Sequence, residues 1–188
     1  MSLREIIKVP NPFLKVTAKP VTVIDEDILT ILDDMMETMY HANGIGLAAT
    51  QIAIDKRLIV MDCGKTKYET QNISKEEYDE KIKDEQFEPF PIKMINPEII
   101  SLGKNLEERE EGCLSIPGYN AKIKRPSSLK VKYTDENKKD NIIDAEGLLA
   151  TCIQHEIDHL NGILFIDHLS KLKREIILKK AIKEYSKN

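Results

Sequence analysis

No apolar run in the sequence approaches the roughly 20 residues that span a bilayer as a helix, so no membrane protein is expected. The first residues, MSLREIIKVP, show neither the basic-then-apolar order of a secretory signal nor an Arg/Ser-rich transit pattern, and a cytoplasmic protein is expected. Positive charge is not in excess. The 28 Lys and Arg stand against 32 Asp and Glu, a net charge of −4, so total charge gives no argument for nucleic acid and no DNA partner is expected. Cysteine is scarce and odd in number: Cys63, Cys113 and Cys152. In a cytosolic chain that argues against a disulfide framework and leaves each cysteine as core residue, ligand or nucleophile. There is no internal repeat and no Gly/Ser-rich or Pro-rich linker. The 188 residues therefore read as a single domain, 1–188, long enough to bury a real core.

What is present is patterned. VPNPFLKVTAKPV (9–21) carries three prolines, which favour extended backbone, and predicts an arm lying over the body. Ile28, Ile31, Leu32, Met35, Met36 and Met39 recur at spacings of three and four and predict a helix over 25–43 with a Met-rich core stripe, stopped by Asn43-Gly44. Strands are predicted over 57–63, 92–100 and 128–134, with a turn at 135–141. The acidic, polar stretch within 64–91 reads as a surface insertion. Helices are predicted over 145–162, closed by Asn161-Gly162, and over 169–188, with Ser170 as N-cap. Strands mixed with separated helices give an α+β expectation: antiparallel strands packed around a central helix, with a helix at the C-terminus.

The chemistry begins at QHEIDHLNG (154–162). His155 and His159 are four apart on one predicted helix and share a face, so both imidazoles reach one ion. Glu156, rotated about 100° from His155, stands near that ion without having to ligate it, the place of a general base. Two ligands leave the site incomplete, since a catalytic zinc-type centre keeps three protein ligands and an open position. In a longer H-E-x-x-H-x-x-G-x-x-H pattern the third histidine position holds Phe165, and His168 comes three residues too late. Spacing leaves Glu175 open as a third ligand, in a basic amphipathic segment that suits it poorly. Upstream, EEGCLSIPGY (110–119) offers Cys113, whose preceding glycine frees the backbone to turn and lets a thiolate approach a metal. GIGLAATQ (44–51) is not a phosphate loop, since no strand precedes it. Its small residues allow close backbone approach to a ligand, and Gln51 has an amide N–H to aim at a developing oxyanion.

Taken together, GIGLAATQ, EGCLS (111–115) and QHEIDH (154–159) resemble, in order, the three signature motifs of the peptide deformylase family. PNPFLKVTAKPV, INPEII (95–100) and DAEGLLATCIQHEIDHLNGILFIDHLS (144–170) are similar to the same family, in its bacterial form with a C-terminal helix. The resemblance implies that Cys113 is the third ligand, beside His155 and His159, of one divalent ion per chain: Fe²⁺ in the cell, with Zn²⁺ or Ni²⁺ able to substitute. It implies removal of the formyl group from the N-terminal formylmethionine of nascent polypeptides, with release of formate. Glu156 is then the base, and Gln51 with the Leu114 N–H holds the oxyanion. Ile45 and Gly46 pair with the substrate main chain, and Leu148, Thr151 and Cys152, seven, four and three residues before His155, wall the methionine pocket. Thr151 departs from the apolar residue expected there. Glu111, Arg125 and Asp158 are expected as charge pairs fixing Cys113 and the helix. Asn120 stands near where related enzymes carry a substrate-contacting arginine.

Two further expectations follow. Over 171–188 seven basic residues (Lys171, Lys173, Arg174, Lys179, Lys180, Lys183, Lys187) stand against Glu175 and Glu184, and a basic helix of this kind fits docking on ribosomal RNA. The rival readings are an HExxH metallopeptidase, indifferent to Cys113, and a binding domain without activity.

Overall fold

The computed structural model describes residues 2–64 and 89–185. The expected insertion at 64–91 falls almost wholly outside the described residues. The first helix, α1 (Glu26–His41), is started by Asp25, whose side chain accepts the Ile28 N–H at 3.0 Å, and carries Glu26 and Asp27 at its positive end. Its stripe of Ile28, Leu32, Met35, Met36 and Met39 is buried, so the methionines are core as expected.

Seven strands follow: β1 (Gly46–Ala48), β2 (Leu58–Asp62), β3 (Pro91–Leu102), β4 (Leu106–Gly112), β5 (Asn120–Pro126), β6 (Ser128–Thr134) and β7 (Asp140–Glu146). Five make one antiparallel sheet in the order β1-β2-β3-β6-β7, and β4 pairs with β5 in a separate hairpin. The helix α2 (Gly147–Leu160) carries the HExxH stretch, and α3 (Lys171–Tyr185) lies near the C-terminus.

β2 explains why the site helix ends up central. Side chains alternate across a strand. Leu58 and Val60 pack with α1, whereas Ile59 and Met61 pack with Ala150, Ile153, Ile157 and Leu160 of α2. The sheet is therefore covered on both faces, which is why β2 reads as a continuous apolar run. The N-terminal segment crosses the body as an arm: Ile7 N donates to Gln51 O at 2.9 Å, Val9 N to Ser115 O at 3.1 Å and Ala18 N to Leu160 O at 2.8 Å. A third cluster joins Val9 and Leu14 of the arm to Ile116, Ile123, Phe165 and, on α3, Ala181.

Four strands were not predicted. β1 is three residues long, and its small residues read as a turn. β4, LEEREEG, has no apolar alternation. It is held by cross-strand opposite charges, Glu108 facing Lys124 and Glu110 facing Lys122. β5 sets three basic residues around Ala121 and Ile123, and β7 is an edge strand whose first two residues, Asp140 and Asn141, were assigned to the preceding turn. No described helix is long and apolar enough to cross a membrane.

Candidate active site

Three chain segments converge between α2 and the β4–β5 hairpin. Cys113 follows the end of β4, where the chain turns, its carbonyl accepting the Ile116 N–H at 2.9 Å. His155 and His159 come from α2, their ring centroids 5.0 Å apart. One atom each from Cys113, His155 and His159 lies within 4.8 Å of the others. Bonds of about 2.3 Å to sulfur and about 2.1 Å to nitrogen put ligands of one tetrahedral ion roughly 3.5 Å apart, so this spacing fits a single cation. The chemistry fits as well. Cys113 Sγ lies 3.1 Å from His159 Nε2, and two buried polar atoms nearby, Glu156 Oε2 and His159 Nδ1, have no protein partner. Burial holds the His159 imidazole well below its ordinary value, so the ring is neutral and has a lone pair to give.

His155 is aimed by a carboxylate. Its Nδ1 lies 2.9 Å from Glu111 Oε2, which leaves Nε2 for the centre. Burial works to raise the Glu111 carboxyl, but hydrogen bonds from His155 and Arg125 hold it at about 2. Arg125 also donates to Asp158 Oδ2 at 2.8 Å, so one guanidinium spans β4 and α2. The expectation for these three residues is thereby refined: they fix His155 and the helix. The Cys113 sulfur is met instead by the Ser115 N–H at 3.4 Å and by Gln51 Nε2 at 3.5 Å. Ser115 was not anticipated. Its hydroxyl accepts from Gln51 Nε2 at 3.2 Å, and a hydroxyl two residues after the cysteine was the available signal. Phe165, in the position of the absent third histidine, stacks on His155 at 6.3 Å between centroids. His168 is turned to Asp158 at 2.7 Å, and neither it nor Glu175 joins the metal-competent group.

Glu156 is fully buried, and burial pushes its carboxyl up to about 7, with His155 pulling the other way. Beside it lies a cavity of about 400 Å³ lined by Ile45, Gly46, Gln51, Leu114, Leu148, Thr151, Cys152, His155 and Glu156 among others. All the expected substrate-binding and oxyanion positions thus border one space. Ile45 is 46% exposed and precedes β1, an edge strand whose second side is free of any strand among the described residues. Gly46 is tightly enclosed: a Cβ there would sit 2.4 Å from Glu156 Oε1 and 2.8 Å from Cys152 Sγ. The Thr151 hydroxyl turns back to Gly147 O at 3.2 Å, which absorbs its polarity within α2. Leu148 is 38% exposed, at the rim. Asn120 borders the cavity and is uncharged.

One sulfur, two imidazoles and a buried carboxylate on an α+β scaffold define the class, a metal-dependent hydrolase. Within that class residues 3–175 match the family model described as Polypeptide deformylase, and the chain belongs to that family. A peptide deformylase of Bradyrhizobium diazoefficiens is 50% identical over 182 residues, covering 96% of this chain and 95% of the relative. The crystal structure of peptide deformylase from Ehrlichia chaffeensis matches with a TM-score of 0.85 at 38% identity, covering 99% of this chain and 98% of that one. The crystal structure of peptide deformylase from Ehrlichia chaffeensis in complex with actinonin matches with a TM-score of 0.83 at 38% identity, covering 98% of each chain. The family removes the N-formyl group from the N-terminal methionine of nascent chains.

Proposed function

We propose that Cys113, His155 and His159 hold one divalent cation and that Glu156, Gln51 and Leu114 carry out deformylation around it, within a single cytoplasmic catalytic domain spanning 1–188. The observation that carries this reading is the convergence of the three donor atoms beside a buried carboxylate with an unpartnered oxygen. A cation held there supplies a Lewis acid and a water of lowered pKa. The thiolate makes the donor set softer than that of a His₂-carboxylate peptidase, which suits Fe²⁺, with Zn²⁺ or Ni²⁺ able to take its place.

The chain's own residues do the rest. Glu156, raised toward neutrality by burial, takes the proton of the attacking water and returns it to the departing amine. The Gln51 amide and the Leu114 N–H donate to the oxygen of the former formyl carbonyl as it gains charge. The substrate main chain adds to the free edge at Ile45 and Gly46 in extended form. Leu148, Thr151 and Cys152 receive the methionine side chain. The basic face of α3 docks on ribosomal RNA, bringing the site to nascent chains. On α3, Arg174 pairs with Asp167 at 3.5 Å.

The deciding experiment is formate release from formyl-Met-Ala-Ser by anaerobically prepared protein, with Cys113→Ala and Glu156→Ala alongside. Release by the unmodified chain and loss in both variants establishes the assignment. Release that survives Cys113→Ala removes Cys113 from the ligand set. Loss of ribosome co-sedimentation on deleting 171–188 is the expected result for the helix; unchanged co-sedimentation rejects its docking role.

A further inference from the structure

The family motifs account for Cys113 and place Cys152 at the pocket wall, but they leave Cys63 without a role. Cys63 follows β2 directly, is half-buried, and packs against the same core cluster as Cys152. Two hydrogen bonds triangulate the pair. The Ile45 carbonyl accepts from Asp62 N at 2.9 Å, and the Cys152 thiol reaches that same carbonyl at 3.6 Å. The residue after Asp62 is therefore brought toward the carbonyl that the Cys152 sulfur also meets, and the Cys63 side chain, together with burial, pushes the Cys152 thiol well up from its ordinary value.

We propose that Cys63 and Cys152 form a dithiol modification site, oxidised by peroxide to a disulfide behind the wall of the active-site pocket. The half-exposed Cys63 meets the oxidant first. Its sulfur, as thiolate, attacks one peroxide oxygen, the O–O bond breaks, and the departing hydroxide takes a proton to become water. The Cys63 sulfenic acid so formed is attacked by the Cys152 sulfur. The S–O bond breaks, the S–S bond forms, and the Cys152 proton leaves with the hydroxide as a second water. Two thiols and one hydrogen peroxide thus give one disulfide and two waters, with sulfur oxidised and peroxide reduced.

The consequence for the pocket follows from distance. A disulfide draws the sulfurs to about 2 Å, well inside hydrogen-bonding separation. Cys152 Sγ must then leave the Ile45 carbonyl and its place beside Gly46 and Glu156. Displacement of that wall by about 1 Å, beside the residue that takes the proton, lowers deformylation by about 10²-fold. This last step rests on the functional reading above; formation of the disulfide does not.

The test uses the full chain loaded with Zn²⁺, which does not itself react with peroxide by electron transfer. The protein is treated with hydrogen peroxide, its free thiols are alkylated, and it is digested without reduction for mass spectrometry. The expected result is a peptide pair joined through Cys63 and Cys152, a parallel loss of formate release, and recovery of both on adding dithiothreitol. Cys63→Ser, outside the pocket lining, keeps its basal rate and resists the reversible loss. Recovery of Cys63 and Cys152 as separately alkylated peptides after peroxide overturns the proposal, and so does equal, reversible inactivation of Cys63→Ser. The linked-peptide measurement decides the chemistry even in a preparation that releases no formate.

Discussion

Arg125 grips Glu111 at two points, Nε to Oε1 at 2.6 Å and Nη2 to Oε2 at 3.0 Å, and the second oxygen also meets His155 Nδ1 at 2.9 Å. The geometry of one imidazole of the metal-competent group is therefore set by a guanidinium one residue further out. Removing the intermediate carboxylate with Glu111→Ala frees the His155 ring and leaves Arg125 buried beside only Asp158. Metal affinity is expected to fall by about 10- to 100-fold. Competition against a chromogenic chelator measures this directly, and an unchanged affinity would reject the orienting role.

Gly46 gives the second prediction. Its hydrogen occupies the place where a methyl carbon would sit 2.4 Å from Glu156 Oε1 and 2.8 Å from Cys152 Sγ. Gly46→Ala pushes the Glu156 carboxylate aside and crowds the edge that is to receive the substrate main chain. The expected result is a fall of about 10²-fold in kcat/KM. The metal content should be unchanged, since neither neighbour is a ligand. Steady-state kinetics with metal analysis of the same preparation checks both; a variant with wild-type kcat/KM shows that the close approach has no part in the reaction.

The sequence made the site more legible than the fold. His155, Glu156 and His159 declare themselves by helical spacing alone, and α2 carries them as expected. Cys113 was a candidate from the glycine before it and became the expected third ligand only through the resemblance, because nothing in local periodicity brings residue 113 to residue 155; the turn between the two strands of a charged hairpin does that. β4 and β5 were illegible for the same reason. Their stability comes from charge pairs across the hairpin and from Arg125 and Glu111 inside it; alternation of apolar residues, the signal sought, is absent from β4 and reduced to Ala121 and Ile123 in β5. The hydroxyl role of Ser115 and the stacking role of Phe165 were not anticipated because they depend on neighbours far apart in sequence, Gln51 for one and His155 for the other.

Acid should loosen the N-terminal arm first. Asp34 is buried on α1 and accepts hydrogen bonds from Ser2 N at 2.6 Å and Arg4 Nε at 2.9 Å. Burial works to raise its carboxyl, but the Ser2 and Arg4 contacts outweigh it and leave the value below the ordinary one. A folded-state value depressed below the unfolded one contributes stability that is fully present above about pH 4 and lost as pH falls through the lower folded value. Asp34→Asn is expected to lower the melting temperature at pH 7 and to flatten its decline between about pH 4 and pH 3. Thermal melts across that range check the sign; an identical slope in the variant excludes Asp34 as a source of the acid sensitivity.

Gln51 makes the last prediction, and the most discriminating one, because its two ends do different work. Its Oε1 accepts the Ala48 N–H at 2.8 Å and so fixes the turn after β1. Its Nε2 faces Ser115 Oγ at 3.2 Å and Cys113 Sγ at 3.5 Å and is the donor proposed for the oxyanion. Gln51→Glu preserves the acceptor and replaces the donor with a second acceptor beside the thiolate. The chain should therefore fold, while the carboxylate repels the charge that develops on the substrate oxygen. Loss of a single oxyanion donor costs on the order of 10²–10³ in kcat. Gln51→Ala loses both ends, so it adds an unsatisfied buried N–H at Ala48, a stability cost of about 1–3 kcal/mol. If the amide acts on the transition state, both variants lose kcat with KM little changed, and only Gln51→Ala melts early. If the amide merely braces the turn, Gln51→Glu retains near wild-type kcat, and the oxyanion role passes from Gln51 to the backbone of Leu114.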